Sequence, residues 1–301
     1  MQTGEPSRTA LAVAWARADH QTLDQSRIFS DPLATQIVGP PTGRTGDFDR
    51  GLDPELVRKR RLLIAARSRF ADDAVAAAAA AGTGQVVVLG AGLDTSAYRN
   101  PHPDVRFFEV DHPDTQAWKR ARLAEVGIAI PATLSYVPVD FERHSLADEL
   151  AVAGFDRTRP AIFLWLGVVM YLTAEAIEST LRYIAGQGGG GEVVFDYLSP
   201  AVSDSAAQRA RADRVSSVGE PWLTARTAQE WQAQLHALGF TRSEVLFAAQ
   251  AIAMYTGRAD PGPVASGPEA AAERNHAGPA AGPNRHSPAD SGPGLIHAST
   301  A

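Results

Sequence analysis

No cysteine occurs anywhere in the 301 residues, which excludes disulfides, thiolate zinc sites, iron–sulfur clusters and cysteine nucleophiles together. Any positive sign of an oxidising compartment goes with them, and the chain reads as a cytoplasmic protein with no metal centre. Positive charge is also scarce: 28 Lys and Arg stand against 34 Asp and Glu, a formal net charge of -6. Without a basic patch interleaved with aromatics, the electrostatic drive toward phosphate backbones is missing, so no nucleic-acid partner is expected. No apolar run approaches the roughly 18 residues of a membrane span. The apolar stretch 10–16 follows a polar, partly acidic start where a signal peptide would be basic. What is present, 45% hydrophobic and 21% charged side chains, is the composition of an ordinary globular protein.

Proline and glycine are distributed unevenly. Residues 258–301 hold seven prolines and six glycines with few large apolar side chains, a composition that predicts a disordered tail. In the remaining 257 residues, β-rich runs at 85–89, 105–110, 134–139, 161–166, 192–198, 244–249 and 251–256 alternate with helical stretches. That alternation predicts βαβ units. The first five runs are near-continuously apolar, as parallel strands covered on both faces are, while the last two suit an antiparallel edge pair. Residues 1–84 form a helical portion expected to cap the sheet, ahead of a core at 85–257.

The chemistry is expected where the first strand empties into Gly90-Ala91-Gly92-Leu93-Asp94-Thr95. A turn of this kind lets backbone approach a ligand closely, and in open α/β sheets ligands bind at the carboxyl ends of strands. Asp111 closes the next strand 21 residues beyond Gly90, the position from which an acid accepts hydrogen bonds from ribose hydroxyls. A dinucleotide fingerprint would carry a third glycine at position 95; Thr95 stands there, so an adenosine without a pyrophosphate fits better. Asp140 and Phe141, after the third strand, offer a carboxylate for an exocyclic amine and a wall for a base. On the helix before the first strand, Leu56, Leu63, Phe70 and Ala74 share a face with Arg67. A core-facing guanidinium needs an anion, either a ligand carboxylate or a structural partner such as Asp72 or Asp73.

Several stretches carry a resemblance: Ala66-Arg67-Ser68-Arg69-Phe70, Leu89-Gly90-Ala91-Gly92-Leu93-Asp94-Thr95 with Tyr98-Arg99, Phe108-Glu109-Val110-Asp111, and Gly167-Val168-Val169-Met170-Tyr171-Leu172-Thr173. Their order and spacing resemble the leucine carboxyl methyltransferase family of S-adenosylmethionine-dependent enzymes. Ile28-Phe29-Ser30-Asp31-Pro32-Leu33-Ala34 and Phe195-Asp196-Tyr197 resemble its actinobacterial and polyketide-pathway branch. The resemblance implies a class I methyltransferase fold, Rossmann-like and mostly parallel with an antiparallel edge, under a helical cap. It implies S-adenosylmethionine as cofactor, with Arg67 on the methionyl carboxylate, Gly90, Ala91 and Gly92 against the methionyl and ribose portion, Asp111 on the ribose, and Asp140 with Phe141 around adenine. One departure stands out: where the family usually has a cofactor-contacting glutamate, this chain has Leu166.

The expected activity is O-methylation of a carboxylate or phenol on a small-molecule, natural-product acceptor. A carboxylate is already ionised at neutral pH, so no catalytic residue is singled out; a phenol would want a base, for which His20, His112 and His144 are candidates. Trp222 and Arg226 would wall the acceptor pocket, with Arg17 and Tyr171 as further candidates. A noncatalytic protein on this fold and a nucleotide-dependent oxidoreductase are the alternatives.

Overall fold

A computed structural model describes residues 7–39, 49, 51–140, 144–200, 206–217, 219–257 and 292–301. Three helices come first: α1 (Arg8–Leu23), α2 (Pro32–Val38) and α3 (Pro54–Ala80). Each begins on a side-chain cap, with Ser7, Asp31 and Asp53 accepting a backbone N–H of the first turn, the standard relief for orphan donors. Then follow β1 (Gln85–Leu89), α4 (Ser96–Arg99), β2 (Arg106–Asp111), α5 (Pro113–Glu125), β3 (Leu134–Pro138), α6 (Leu146–Val152), β4 (Ala161–Trp165), a 3-10 turn (Val169–Tyr171), α7 (Ala174–Ala185) and β5 (Gly191–Tyr197). The chain continues through α8 (Ala206–Ser217), α9 (Ala228–Ala237), β6 (Arg242–Phe247), α10 (Ala248–Thr256) and β7 (Gly294–Ser299).

The strands form one sheet in the order β3-β2-β1-β4-β5-β7-β6. Pairing is parallel from β3 to β5 and antiparallel on both sides of β7. β1 and β4 are buried at every position, as their unbroken apolar runs require of strands covered on both faces. On one face, α6, α7 and α9 bury Leu150, Ile177, Leu181, Ile184, Trp231 and Leu235 against Phe163 and Phe195. On the other, α3 lays Ala71, Ala74, Val75 and Ala78 on Val86, Val88 and Phe107. Leu56, expected on this stripe, is exposed instead.

Two sequence expectations are corrected at the reversed edge. Residues 251–256, expected as a strand, are helical: Ala248-Ala-Gln-Ala-Ile-Ala-Met-Tyr-Thr is rich in good helix formers, and Ala251 is buried with Leu62, Ala65 and Ala66 of α3. The antiparallel partner comes from residues 258–301, expected to be disordered throughout. Of that stretch, residues 258–291 lie outside the described residues, but Gly294-Leu-Ile-His-Ala-Ser forms β7, inserted between β5 and β6 with Leu295, Ile296 and Ala298 buried. Set between two strands, it packs into two clusters, Leu295 in one and Ile296 and Ala298 in the other, and this placement rather than bulk composition is what buries it.

Candidate functional site

A cavity of about 560 Å³ opens at the carboxyl ends of β1, β4 and β5, beneath α1 and α3, within the size range of small-molecule sites. Its floor is the glycine turn. Gly90 has φ 65° and Gly92 φ 49°, a region that suits glycine. At Gly90 a Cβ would also lie 2.5 Å from Val168 Cγ2. The turn is pinned by Ala91 N donating to Val110 O at 3.0 Å and by Gly92 N donating to Asp111 Oδ2. Asp111, the last residue of β2, also accepts from His112 N at 2.6 Å. Burial pushes its carboxyl above the ordinary range, opposed by these backbone bonds and by Lys119 and His112. A half-buried acid at a strand end, held by backbone N–H groups, keeps lone pairs for a ligand.

A second polar cluster lines the same cavity. Arg67, 8% exposed, donates from Nη1 to Asp196 Oδ2 at 2.7 Å, while Asp196 Oδ1 accepts Gly167 N. Neither Asp72 nor Asp73 is its partner: they pair with Arg99 at 2.6 Å and Arg69 at 2.7 Å. Arg67 Nε is buried without a hydrogen-bond partner, as are Arg60 Nε and Tyr197 Oη, and all three residues line this cavity. Arg60 lies seven residues before Arg67 on α3, two turns along the same face, and pairs with Asp49 at 2.7 Å. Burial depresses its pKa; Asp49 opposes that and Arg67 adds to it.

Beneath the turn, Lys119 Nζ bonds Glu109 Oε2 and Asp94 O, both at 2.7 Å. Burial raises the Glu109 carboxyl to about 7 despite Lys119. At Asp94 burial is outweighed by Arg17, Lys119 and bonds from Ser96, which hold its carboxyl below the usual value.

The cavity wall brings together Arg17, Arg67, Gly90, Ala91, Gly92, Asp111, Leu166, Tyr171 and Trp222. Arg17 is already committed, its Nε bonding Asp31 at 2.9 Å and its Nη2 bonding Leu93 O, so it ties α1 to the glycine turn. Asp140 is not in the wall; its backbone N donates to His144 Nδ1 at 3.2 Å. Phe141 lies outside the described residues. Arg226 is also absent from the wall: its guanidinium bonds Gln234 and stacks 5.0 Å from the Trp231 ring centroid. His20 is buried against Asp24, and His112 caps α5; no described histidine lines the cavity.

Asp196 and Tyr197 stood in the sequence only as part of the Phe195-Asp196-Tyr197 resemblance, with no site role, and Arg60 was not singled out. Asp196 carried a usable signal, an acid closing the apolar run Val193-Val194-Phe195 at a strand's carboxyl end, and Arg60 carried another in its heptad spacing from Arg67. Among the described residues no helix is long and apolar enough to cross a membrane, and no cluster of three His, Asp or Glu could hold a metal.

Residues 10–185 match a family model described as leucine carboxyl methyltransferase. A protein of Bacillus subtilis, provisionally named S-adenosyl-L-methionine-dependent methyltransferase YktD, is 30% identical over 79% of this chain and 88% of its own length. One from Mycolicibacterium gilvum with the same provisional description is 34% identical over 68% of this chain and 69% of its own. A Thermobifida fusca crystal structure, described provisionally as a methyltransferase, superposes with a TM-score of 0.51 at 18% identity, covering 99% of this chain and 96% of that one. The fold is that of class I methyltransferases.

Proposed function

Since the chain belongs to the leucine carboxyl methyltransferase family, we propose that it is an S-adenosylmethionine-dependent O-methyltransferase acting on a small, acidic, ring-bearing natural product. The observation that carries this reading is one cavity lined by both a strand-end acid, Asp111, and a buried guanidinium, Arg67, together with the glycine turn. Those groups fit the cofactor. Asp111 would hold the ribose hydroxyls, Gly90 and Gly92 would let backbone lie against the ligand, and Arg67, with its orphaned Nε, would grip the carboxylate of the amino-acid head. When bound, S-adenosylmethionine supplies an electrophilic methyl group on a sulfonium.

The protein's own contribution is positioning and enclosure. Holding the acceptor oxygen in line at about 3 to 3.5 Å from its target replaces an encounter with a preset geometry. Helices α1 and α3 line the cavity, and bound cofactor and acceptor would displace water from it, which would strengthen every charge interaction inside. Tyr171, Trp222, Met170 and Leu223 make the far wall, a surface for a flat apolar body, while Arg60 supplies the cation expected of Arg226. The lack of a histidine among the described lining residues supports an acceptor oxygen already ionised at neutral pH, a carboxylate before a phenol.

Titration calorimetry with S-adenosylmethionine, followed by transfer of a labelled methyl group to a panel of aromatic carboxylic acids and phenols, tests this. Cofactor binding with label on a carboxylate is the expected result; absence of binding refutes the reading.

A further inference from the structure

An amino-acid head is a zwitterion, and a site that grips only its carboxylate leaves its ammonium desolvated and unpaired, which is costly. Four acids line the cavity: Asp94, Asp111, Asp196 and Glu220. Three are engaged away from Arg67. Asp94 accepts the backbone N–H and hydroxyl of Ser96, Asp111 accepts Gly92 N and His112 N, and Glu220 accepts the Thr9 hydroxyl. Asp196 alone touches the guanidinium, at 2.7 Å, with its other oxygen on Gly167 N. Each oxygen of a carboxylate has a second lone pair. The residue preceding Gly167 is Leu166, whose side chain packs against the cluster holding Val86 and Val88 and carries no acceptor.

Resting on the methyltransferase reading above, we propose that Asp196 is the acceptor for the ammonium of the cofactor's amino-acid head, so that the Arg67–Asp196 pair is a preformed complement to a zwitterion. Arg67 then faces the carboxylate and Asp196 the ammonium. Asp196 also fixes the Arg67 guanidinium and the Gly167 backbone, so the acid that binds one half of the head positions the group that binds the other.

The test is calorimetric binding of three adenosyl thioethers to the full chain: S-adenosylhomocysteine, its deaminated counterpart that keeps the carboxylate, and methylthioadenosine, which lacks the head. The wild type should bind the deaminated compound at least about tenfold more weakly than S-adenosylhomocysteine, the scale of one hydrogen bond to a charged group. Asp196→Asn should lose a similar factor for S-adenosylhomocysteine, leave methylthioadenosine unchanged, and bind the deaminated compound as well as or better than the wild type, because Arg67 is freed of its counter-charge. Asp196→Glu, which keeps the charge, should retain the discrimination. Discrimination below about threefold in the wild type overturns the assignment, whether or not the Asn variant folds; so does an equal loss for all three ligands in Asp196→Asn. Failure of the wild type to bind any of the three removes the methyltransferase reading itself, whereas binding of all three with equal affinity removes only the role of Asp196.

Discussion

Ile296 lies near the end of a chain whose composition argues for a loose tail, yet it is fully buried between Phe195 of β5 and Val245 of β6. Replacing it with alanine is therefore a sharp test of the strand insertion. Removing a buried isoleucine's extra carbons costs about 2 to 5 kcal/mol in a packed core, the range reflecting how far neighbours collapse into the space. Ile296 packs in the largest apolar cluster, with Trp231 and Phe195 in the same group, and rigid aromatic neighbours close such a gap poorly, which favours the upper half of the range. At about 2 to 4 °C per kcal/mol for a domain of this size, melting should fall by roughly 7 to 20 °C. The urea midpoint should drop with the slope unchanged, since the folded state keeps its extent. Val152→Ala, at a site 84% exposed, is the matched control and should stay within about 0.5 kcal/mol of the parent. A loss at Ile296 no larger than the control's would mean that β7 does not belong to the sheet.

Asp111→Ala should weaken S-adenosylmethionine binding at least about tenfold by calorimetry, the loss of one charge-assisted bond; unchanged affinity would free the ribose position from this residue. Gly90→Ala places a Cβ 2.5 Å from Val168 Cγ2 at φ 65°, and should lower the melting temperature and cofactor affinity together, whereas an unperturbed variant would show that the turn is not held as described. Lys119→Met leaves Glu109 buried without its cation, a change worth about 3 to 5 kcal/mol when the acid is ionised. Burial raises the folded carboxyl to about 7 from 4.5, so its contribution to stability is retained below 4.5 and lost as pH rises through 7. Without Lys119 the loss grows further on the alkaline side. Urea unfolding should therefore show a larger deficit for Lys119→Met at pH 8 than at pH 5.5, and equal deficits would contradict the buried pair.

The parts of the fold that were legible in the sequence are those whose burial is symmetric. β1 and β4 are apolar at nearly every position because helices cover both faces, and Gly90 with Asp111 is legible because strand ends and tight turns impose residue types locally. β7 was hidden because its buried side chains are only Leu295, Ile296 and Ala298, with Gly294 beside them, too short an apolar signal against a proline- and glycine-rich background. Residues 251–256 misled in the opposite sense: an apolar run that short fits strand or helix, and contact with α3 decides between them.

The pocket repeats this division. Arg67 stood out as a charge on an apolar helical face, but its partner could not be read from α3 alone, where Asp72 and Asp73 are the near candidates in sequence. Parallel crossover topology brings β5, more than 120 residues later, to the same strand ends, so Asp196 meets Arg67 only through the sheet. The reverse error at Arg226 has the same origin. Its position beside Trp222 in sequence suggested a shared wall, but its guanidinium lies on Trp231 and Gln234 of α9, and the arginines that do line the cavity are Arg17, Arg60 and Arg67. The cavity wall is thus assembled where strand ends and α3 turns converge, and Arg67 with Asp196, like Thr9 with Glu220, is a pair no single stretch of the chain contains.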